Sequence, residues 1–576
     1  MTKLVRTLRP RAVPAAPRLA GLPPLLARIY AARGVTSPQE LDLSARALLP
    51  PGQLHGVDAA ARRLAQALAG AERILIVGDF DADGATSTAL GVDVLRRCGA
   101  AHVDYLVPNR FEYGYGLTPE IVALAKERRP QLIVTVDNGI SSIDGVAAAR
   151  RAGIDVLVTD HHLPGRELPD ANVIVNPNLP ACAFPSKALA GVGVMFYVLL
   201  ALRARLRESG WFAERDLDEP NLGHYLDLVA LGTVADVVPL DRNNRVLVEG
   251  GLARMRRGLA RPGIAALLAV AGRSAEDLVA TDLGFAVGPR LNAAGRLDDM
   301  SIGIECLLAA SDDKARQLAL VLDGMNRERR RIGQTMEEAA LAALDRVQVN
   351  AAALPAALVL YDPTWHQGVV GILASRIKER FHRPAIAFAD AGDGSLKGSG
   401  RGLPGLHLRD LIDRVATQHP GLVTRFGGHA MAAGLSLPPR HFDAFAEAFT
   451  EVTAGAGATE LEPVLDTDGE LDPACLDLAT AELLRRSGPW GQHFPEPLFE
   501  GAFELLSQRI VGERHLKLSV RHPDAVAPID AIAFSVDTER WPDPSVQRVY
   551  LAYRLDVNEF RGVRRPQLVV EQLAPA

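Results

Sequence analysis

ILIVGDFDADG, residues 74–84, decides the fold class. Its first four residues, Ile74 to Val77, are apolar at successive positions, and the seven that follow carry Asp79, Asp81 and Asp83. A strand covered on both faces reads as a continuous β-branched run rather than as an alternation, the habit of parallel sheets. The same design recurs twice downstream. Leu132-Ile-Val-Thr-Val136 leads into DNGISS (137–142), and Val156-Leu-Val158 leads into TDHH (159–162). Helical patterns over Thr86 to Arg97 and Ser142 to Ala152 separate the runs. That order is βαβ and predicts a parallel-sheet α/β domain. Ligands of such sheets gather beyond the carboxyl ends of the strands, and here each run delivers Asp or His to that edge.

The chemistry of those residues points to a metal. Alternate residues at a strand end share a face, so at least two carboxylates of the first cluster are expected to converge. Like charges that close repel unless a cation sits among them. Asp137 adds a hard oxygen donor, His161 and His162 add imidazoles, and Asp236 in LGTVADVVPL adds a carboxylate in an apolar stretch. A carboxylate-rich set without thiolates suits Mn²⁺ or Mg²⁺. Two such ions about 3.5–4 Å apart clamp a phosphoryl group and activate water, so phosphoester hydrolysis is the expected reaction. Each residue alone also has a plain structural reading: Asp137 and Asp236 as turn or helix caps, the His pair as an exposed loop. Independent caps, however, would not need so many Asp and His residues at one edge.

Outward from this core the chain divides into segments. Residues 1–50 form a Pro/Arg/Ala-rich extension expected to drape over the domain that follows, and 51–300 form the metal domain. A long connecting helix is expected within 301–350, with a bend possible at Gly333, and a second α/β domain within 351–453. Residues 454–576 read as short alternating strands, a small β-barrel of the OB type. Glycine-rich loops are expected at Gly394–Gly402 and Gly427–Gly428. With 48% apolar and 23% charged residues the chain is not disordered, and a net charge of -6 excludes binding nucleic acid by bulk basicity. Cys98, Cys182, Cys306 and Cys475 are too scattered for a disulfide framework, which favours the cytoplasm. The longest uncharged apolar run, Ala188 to Leu202, is too short to span a bilayer, so no membrane anchor is expected.

The motifs DxD, DNG, DHH and the Asp of GTVAD, in this order, resemble the DHH phosphoesterase superfamily. GPRLNAAGRL (288–297), WHQGVVGILASRI (365–377), GSGRG (398–402) and FGGHAMAAG (426–434) resemble its RecJ branch, the single-strand-specific 5′→3′ DNA exonucleases. The resemblance implies that Asp81, Asp83, Asp137, His161 and Asp236 are metal ligands, with Asp79 a further candidate and His162 a ligand or phosphate contact. Those residues, His162 included, form the catalytic set. It further implies that Arg110, Ser399 and Arg401 cup the 5′-terminal phosphate, and that Arg290 holds the strand nearer the metals. Asn292 and Arg296 are substrate-binding candidates of the same segment, and His429 is a substrate contact. His366 either touches phosphate or caps the helix expected near Gly368. Arg110, Arg290, Arg296 and Arg401 are all expected in glycine-punctuated loops.

The implied activity is removal of 5′-mononucleotides from single-stranded DNA in repair and recombination, with two Mn²⁺ or Mg²⁺ ions. The implied partners are a helicase and a single-strand-binding protein. Two other readings stand beside it. One is a DHH phosphodiesterase acting on short oligonucleotides or cyclic dinucleotides. The other is a non-catalytic nucleic-acid-binding scaffold, which the full set of carboxylates and the His pair argue against.

Overall fold

The computed structural model describes residues 5–14, 19–109, 115–346, 354–455 and 461–576. They fall into two compact units: Val13–Arg327 with Arg485–Glu496, and Met1–Ala12 with Glu328–Leu484 and Pro497–Ala576.

The first unit is built on five parallel strands. They are β1 (Arg73–Gly78), β2 (His102–Leu106), β3 (Leu132–Val136), β4 (Asp155–Thr159) and β5 (Val173–Val175). Their order is β2-β1-β3-β4-β5, and all pairs are parallel. All five residues of β3 are buried, as a doubly covered strand requires. On one face Leu75, Val77, Ile133, Val156 and Val158 pack with Ile121, Val122, Val146 and Ala149 of the crossover helices. On the other, helix α1 (Ala82–Arg97) approaches so closely that a Cβ on Gly91 would lie 2.7 Å from the Ile76 side chain. The apolar run at Ala188–Leu202 lies mostly in the buried helix α2 (Gly191–Glu208). Among the described residues, no helix is long and apolar enough to cross a membrane.

Three more helices complete the unit's contribution to the site. Helix α3 (Leu226–Ala235) ends at Asp236. Helix α4 (Gly288–Leu297) carries Arg290, Asn292 and Arg296, so these residues are helical and not in a glycine loop. Their glycines serve packing: a Cβ on Gly295 would overlap the carbonyl oxygen of Phe80. Helix α5 (Asp312–Arg346) runs unbroken through Gly333; its first half belongs to this unit and its second half to the other.

The second unit holds a mixed sheet and a barrel. Strands β6 (Leu358–Tyr361), β7 (Ala385–Asp390), β8 (Leu396–Arg401), β9 (Arg425–Gly428) and β10 (Ala432–Leu437) pair in the order β9-β10-β8-β7-β6. GSGRG and FGG, expected as loops, are therefore largely strand. Helix α6 (Val370–Phe381) covers the face formed by Ala385, Ala387 and Ala389. The tail closes a barrel of β11 (Phe499–Val511), β12 (His515–Arg521), β13 (Ile529–Ala533), β14 (Arg548–Phe560) and β15 (Val563–Pro575), in the order β11-β12-β13-β15-β14.

Two segments depart from the expected boundaries. Thr7–Pro10, expected with the α/β domain that follows, groups with the second unit, where it pairs in parallel with Val464–Thr467. Arg485–Glu496, expected with the barrel, belongs to the first unit. There Leu240 N–H donates to the Gln492 carbonyl (2.8 Å), and Tyr30 stacks with Trp490 and Phe494. Aromatic burial holds this segment more strongly than its place in sequence would suggest.

The close approach of α4 to the acidic loop is open to test. Gly295→Ala is expected to destabilise the protein by about 1–3 kcal/mol, since the added methyl must push the helix off Phe80. Urea denaturation of the two proteins measures the difference.

Candidate metal centre

The acidic cluster does not extend β1; it turns directly into a helix. Asp81 is the N-cap of α1, its Oδ1 accepting from the amides of Asp83 (2.9 Å) and Gly84 (3.0 Å). Asp83, in the first turn, sends its carboxylate to the start of α2, where it accepts from Gly191 N–H (2.6 Å) and Val192 N–H (2.9 Å). One helix N-terminus thus begins at the cluster and a second receives it, a favourable setting for negative charge. Across β3, Asp137 follows the strand in the left-handed region, with φ of +62°.

These side chains converge. His161 Nε2 lies 3.0 Å from Asp137 Oδ1, 3.5 Å from Asp236 Oδ2 and 4.0 Å from Asp83 Oδ2. Donor atoms of Asp83, His161 and Asp236 fall within 4.8 Å of one another, and so do those of Asp79, Asp81 and Asp137. Asp137, His161 and His162 form a third such group. The sheet order places this convergence where the chain reverses direction between β1 and β3, the switch point at which open α/β sheets bind ligands.

The electrostatics are those of a site built for cations. Burial, followed by the charge of Asp81, pushes the Asp83 carboxyl up to about 7 despite its two amide donors. Burial and the neighbouring carboxylates raise Asp137 and Asp236 well above the usual range. Among the described residues no donor makes a hydrogen bond to the buried Oδ1 of Asp137. Oxygen and imidazole donors, mutual repulsion and an unsatisfied buried oxygen together fit hard divalent ions.

His162 is set apart from His161 by Asp160, whose role the TDHH motif did not disclose. Asp160 accepts from the amides of Ile140 (2.8 Å), His161 (2.7 Å) and His162 (3.1 Å), and its Oδ1 is 2.7 Å from His162 Nδ1. Burial alone would lower His162, but the hydrogen bond and charge of Asp160 outweigh it and raise the imidazole to about 9. Asn178 and Asn176 hold the His161 and His162 carbonyls (2.6 and 2.9 Å). The neighbouring Tyr115 hydroxyl lies 3.1 Å from His162 Nδ1 and 3.2 Å from the Asp137 carbonyl.

Other positioning residues also escaped the sequence reading. Asn138, fully buried, donates to the carbonyls of Val77 (3.0 Å) and Val136 (2.9 Å), tying β1 to β3. Gly191 leaves room for Asp137: a Cβ there would lie 2.6 Å from the Asp137 Cβ and 2.7 Å from its Oδ1. A glycine opening an apolar helix was the available signal.

The remaining candidates are distributed as follows. Arg290 is buried against Asp323, with Nε 2.9 Å from Oδ1. Asn292 Oδ1 accepts from Ala82 N–H (2.7 Å), which makes it a support for the acidic loop. Arg296 is half-buried in the last turn of α4. In the second unit Ser399 and Arg401 share one face of β8, with Arg401 Nη1 3.2 Å from Ser399 Oγ. A Cβ on Gly371, near the start of α6, would meet Ser399 Oγ at 2.8 Å and Arg401 Nη2 at 2.9 Å. His429 is exposed in the turn between β9 and β10, next to Ala432, which pairs with Arg401. His366 Nδ1 accepts from Gly368 N–H (3.1 Å), so it caps a turn, and the helix itself starts at Val370. Arg110 lies outside the described residues.

Comparison with known proteins covers the same three regions. Residues 73–233 match the DHH family, N-terminal domain; 354–455 match the DHHA1 domain; 467–572 match the RecJ OB domain. The chain is 61% identical over 555 residues to the single-stranded-DNA-specific exonuclease RecJ of Dickeya dadantii, covering 96% of each. It is 58% identical over 557 residues to that of Escherichia coli, again covering 96% of each. Among solved structures, RecJ from Thermus thermophilus in complex with Mn²⁺ superposes with a TM-score of 0.77 at 30% identity, over 97% of this chain and 79% of that one. The Mg²⁺ complex gives 0.72 at 29% identity, over 96% and 78%. With its carboxylates gathered at the switch point and two relatives 61% and 58% identical over 96% of their length, this chain belongs to the RecJ family of single-stranded-DNA-specific exonucleases.

Proposed function

We propose that the protein is a divalent-metal-dependent exonuclease that removes 5′-mononucleotides from single-stranded DNA, in the 5′→3′ direction, during repair and recombination. The observation that carries this reading is the convergence of Asp83, Asp137, His161 and Asp236 in a family named for that activity. Asp79, Asp81 and Asp137 would hold one Mn²⁺ or Mg²⁺, and Asp83, His161 and Asp236 a second. When bound, such ions supply Lewis acidity toward phosphoryl oxygens and lower the pKa of water.

The chain's own groups do the rest. Asp160 fixes the His162 ring through Nδ1 and favours its protonated form, so the imidazole can hold a proton toward a phosphate or leaving oxygen. Backbone amides at the two helix N-termini orient the Asp81 and Asp83 carboxylates. Asn138 and the left-handed backbone at Asp137 fix that carboxylate toward His161. Arg290 holds the strand nearer the metals, with Arg296 and Asn292 supporting from the same helix. Arg110, Ser399, Arg401 and His429 recognise the 5′ end, while His366 caps the turn before α6. Arg reads phosphate bidentately, which suits a terminal monoester. By this reading residues 51–300 carry the chemistry, 351–453 the 5′ end, and the barrel of 454–576 the strand. A helicase and a single-strand-binding protein are the proposed partners, and the cytoplasm the proposed location. A barrel beyond the two α/β domains, and 61% identity over 96% of a relative named as a single-stranded-DNA-specific exonuclease, favour this over a short-substrate phosphodiesterase.

Three outcomes are expected. Digestion of end-labelled strands in Mn²⁺ or Mg²⁺ should release mononucleotides from the 5′ end, faster when it carries a phosphate, and leave duplex intact. Release from the 3′ end would refute the polarity. Mn²⁺ in hundredfold excess over its dissociation constant should stabilise the protein by about 2.7 kcal/mol relative to chelator, read as a rise in Tm. Asp137→Ala should lose most of that rise, and hydrolysis with it. Gly191→Ala should stay folded by circular dichroism yet lose on the order of 100-fold in kcat, because its methyl displaces Asp137.

A further inference from the structure

We propose that Phe285 is a stacking platform for a nucleobase of the bound strand, at the rim of the metal centre. The inference rests on the function proposed above. Leu283–Val287 forms a π-helical turn, a rare conformation that recurs at functional positions. It leads straight into α4, whose Asn292 supports the acidic loop. Gly284 within the turn and Gly288, the first residue of α4, seat it on the end of α3. A Cβ on Gly284 would lie 3.3 Å from Val234 Cγ1, and one on Gly288 would lie 3.1 Å from the Ala235 Cβ. Those neighbours stand two residues and one residue before Asp236.

Within the turn, Leu283, Ala286 and Val287 are buried while Phe285 is 76% exposed. The wider turn therefore seats its neighbours in the core and leaves the ring in water. Directly after Asp236 stands a second exposed apolar residue. Val237 has a φ of +61° and is 63% exposed. A left-handed residue just past a helix end is ordinarily glycine, and a β-branched side chain there is strained. Single exposed apolar residues are common on any surface. These two differ in place: Val237 directly follows the metal-ligand candidate Asp236, and Phe285 adjoins Gly284, which is seated on Val234 two residues before Asp236.

A single strand supplies a partner for such a surface. Its phosphates engage the metal centre, which leaves the bases free to present their faces. Aromatic stacking accepts every base, as an exonuclease of general sequence requires. The ring would add affinity that the phosphate contacts do not, and it would do so at one nucleotide.

Steady-state digestion of a 5′-phosphorylated single strand in Mn²⁺ tests this. Phe285→Ala is expected to raise KM about 5- to 150-fold, with a smaller change in kcat. Phe285→Tyr should behave as the parent protein, and Phe285→Leu as the alanine variant. In a set of strands each carrying one abasic nucleotide, the parent should show a raised KM at one position, and Phe285→Ala should show no further rise there. An unchanged KM in Phe285→Ala, or rescue by Leu equal to that by Tyr, overturns the platform. Failure of the parent protein to digest the strand at all overturns the proposed exonuclease instead, so the two failures are distinct.

Discussion

Repulsion between buried carboxylates is the constraint around which the metal domain is arranged. Asp83 and Asp137 are almost wholly buried, Asp79 nearly so, and Asp81 and Asp236 stand beside them. Left alone, such a set takes up protons, the direction in which burial and mutual charge push Asp83, Asp137 and Asp236. Yet the surroundings are built to oppose protonation. The backbone amides of Gly191 and Val192 hold Asp83 and lower its carboxyl against burial. A fold that directs amide donors at carboxylates while burying them is prepared for positive charge among them. The two aspects agree only when cations complete the site.

The sheet supplies the place for this arrangement. Because β2 lies outside β1 while β3 to β5 follow on the other side, the crossovers leave β1 and β3 in opposite directions. The loops after these two strands therefore part, and a gap opens between them. Asn138 bridges it at the base through the Val77 and Val136 carbonyls, and Asp137 takes a left-handed backbone just above. Asp tolerates that conformation better than most residues. The strand ends thus meet their hydrogen-bonding needs without closing the gap that receives the metal.

The sequence disclosed the centre of this domain better than its margins. β1, β3 and β4 announce themselves as unbroken apolar runs because they are covered on both faces. β2 and β5 are edge strands with half-exposed residues, and His102-Val-Asp-Tyr-Leu106 carries no such run. The metal-ligand candidates were legible because little besides a cation makes it favourable to crowd carboxylates and imidazoles at one edge. Their supports were not, since Gly191, Asn138 and Asp160 act through space and backbone amides. Arg290 was legible as a cation, but its burial against Asp323, a residue on α5, depends on tertiary packing.

The glycine segments show how a local rule can fail while a periodic one holds. GSGRG looks like a loop if glycine is taken as a mark of flexibility. In β8 it is an alternation. A Cβ on Gly398 would overlap the Phe388 ring, and one on Gly400 would lie 3.0 Å from Leu408, so these positions face the larger core of the sheet. Ser399 and Arg401 take the opposite face, in register with Ala387 and Ala385 and beside Gly371 of α6. Small residues on one side let the aromatic core close, and small partners on the other leave room for a hydroxyl and a guanidinium. A strand holds two such groups in a fixed relation more firmly than a loop does. The same period of two that identifies a buried strand therefore also identifies the polar pair it presents.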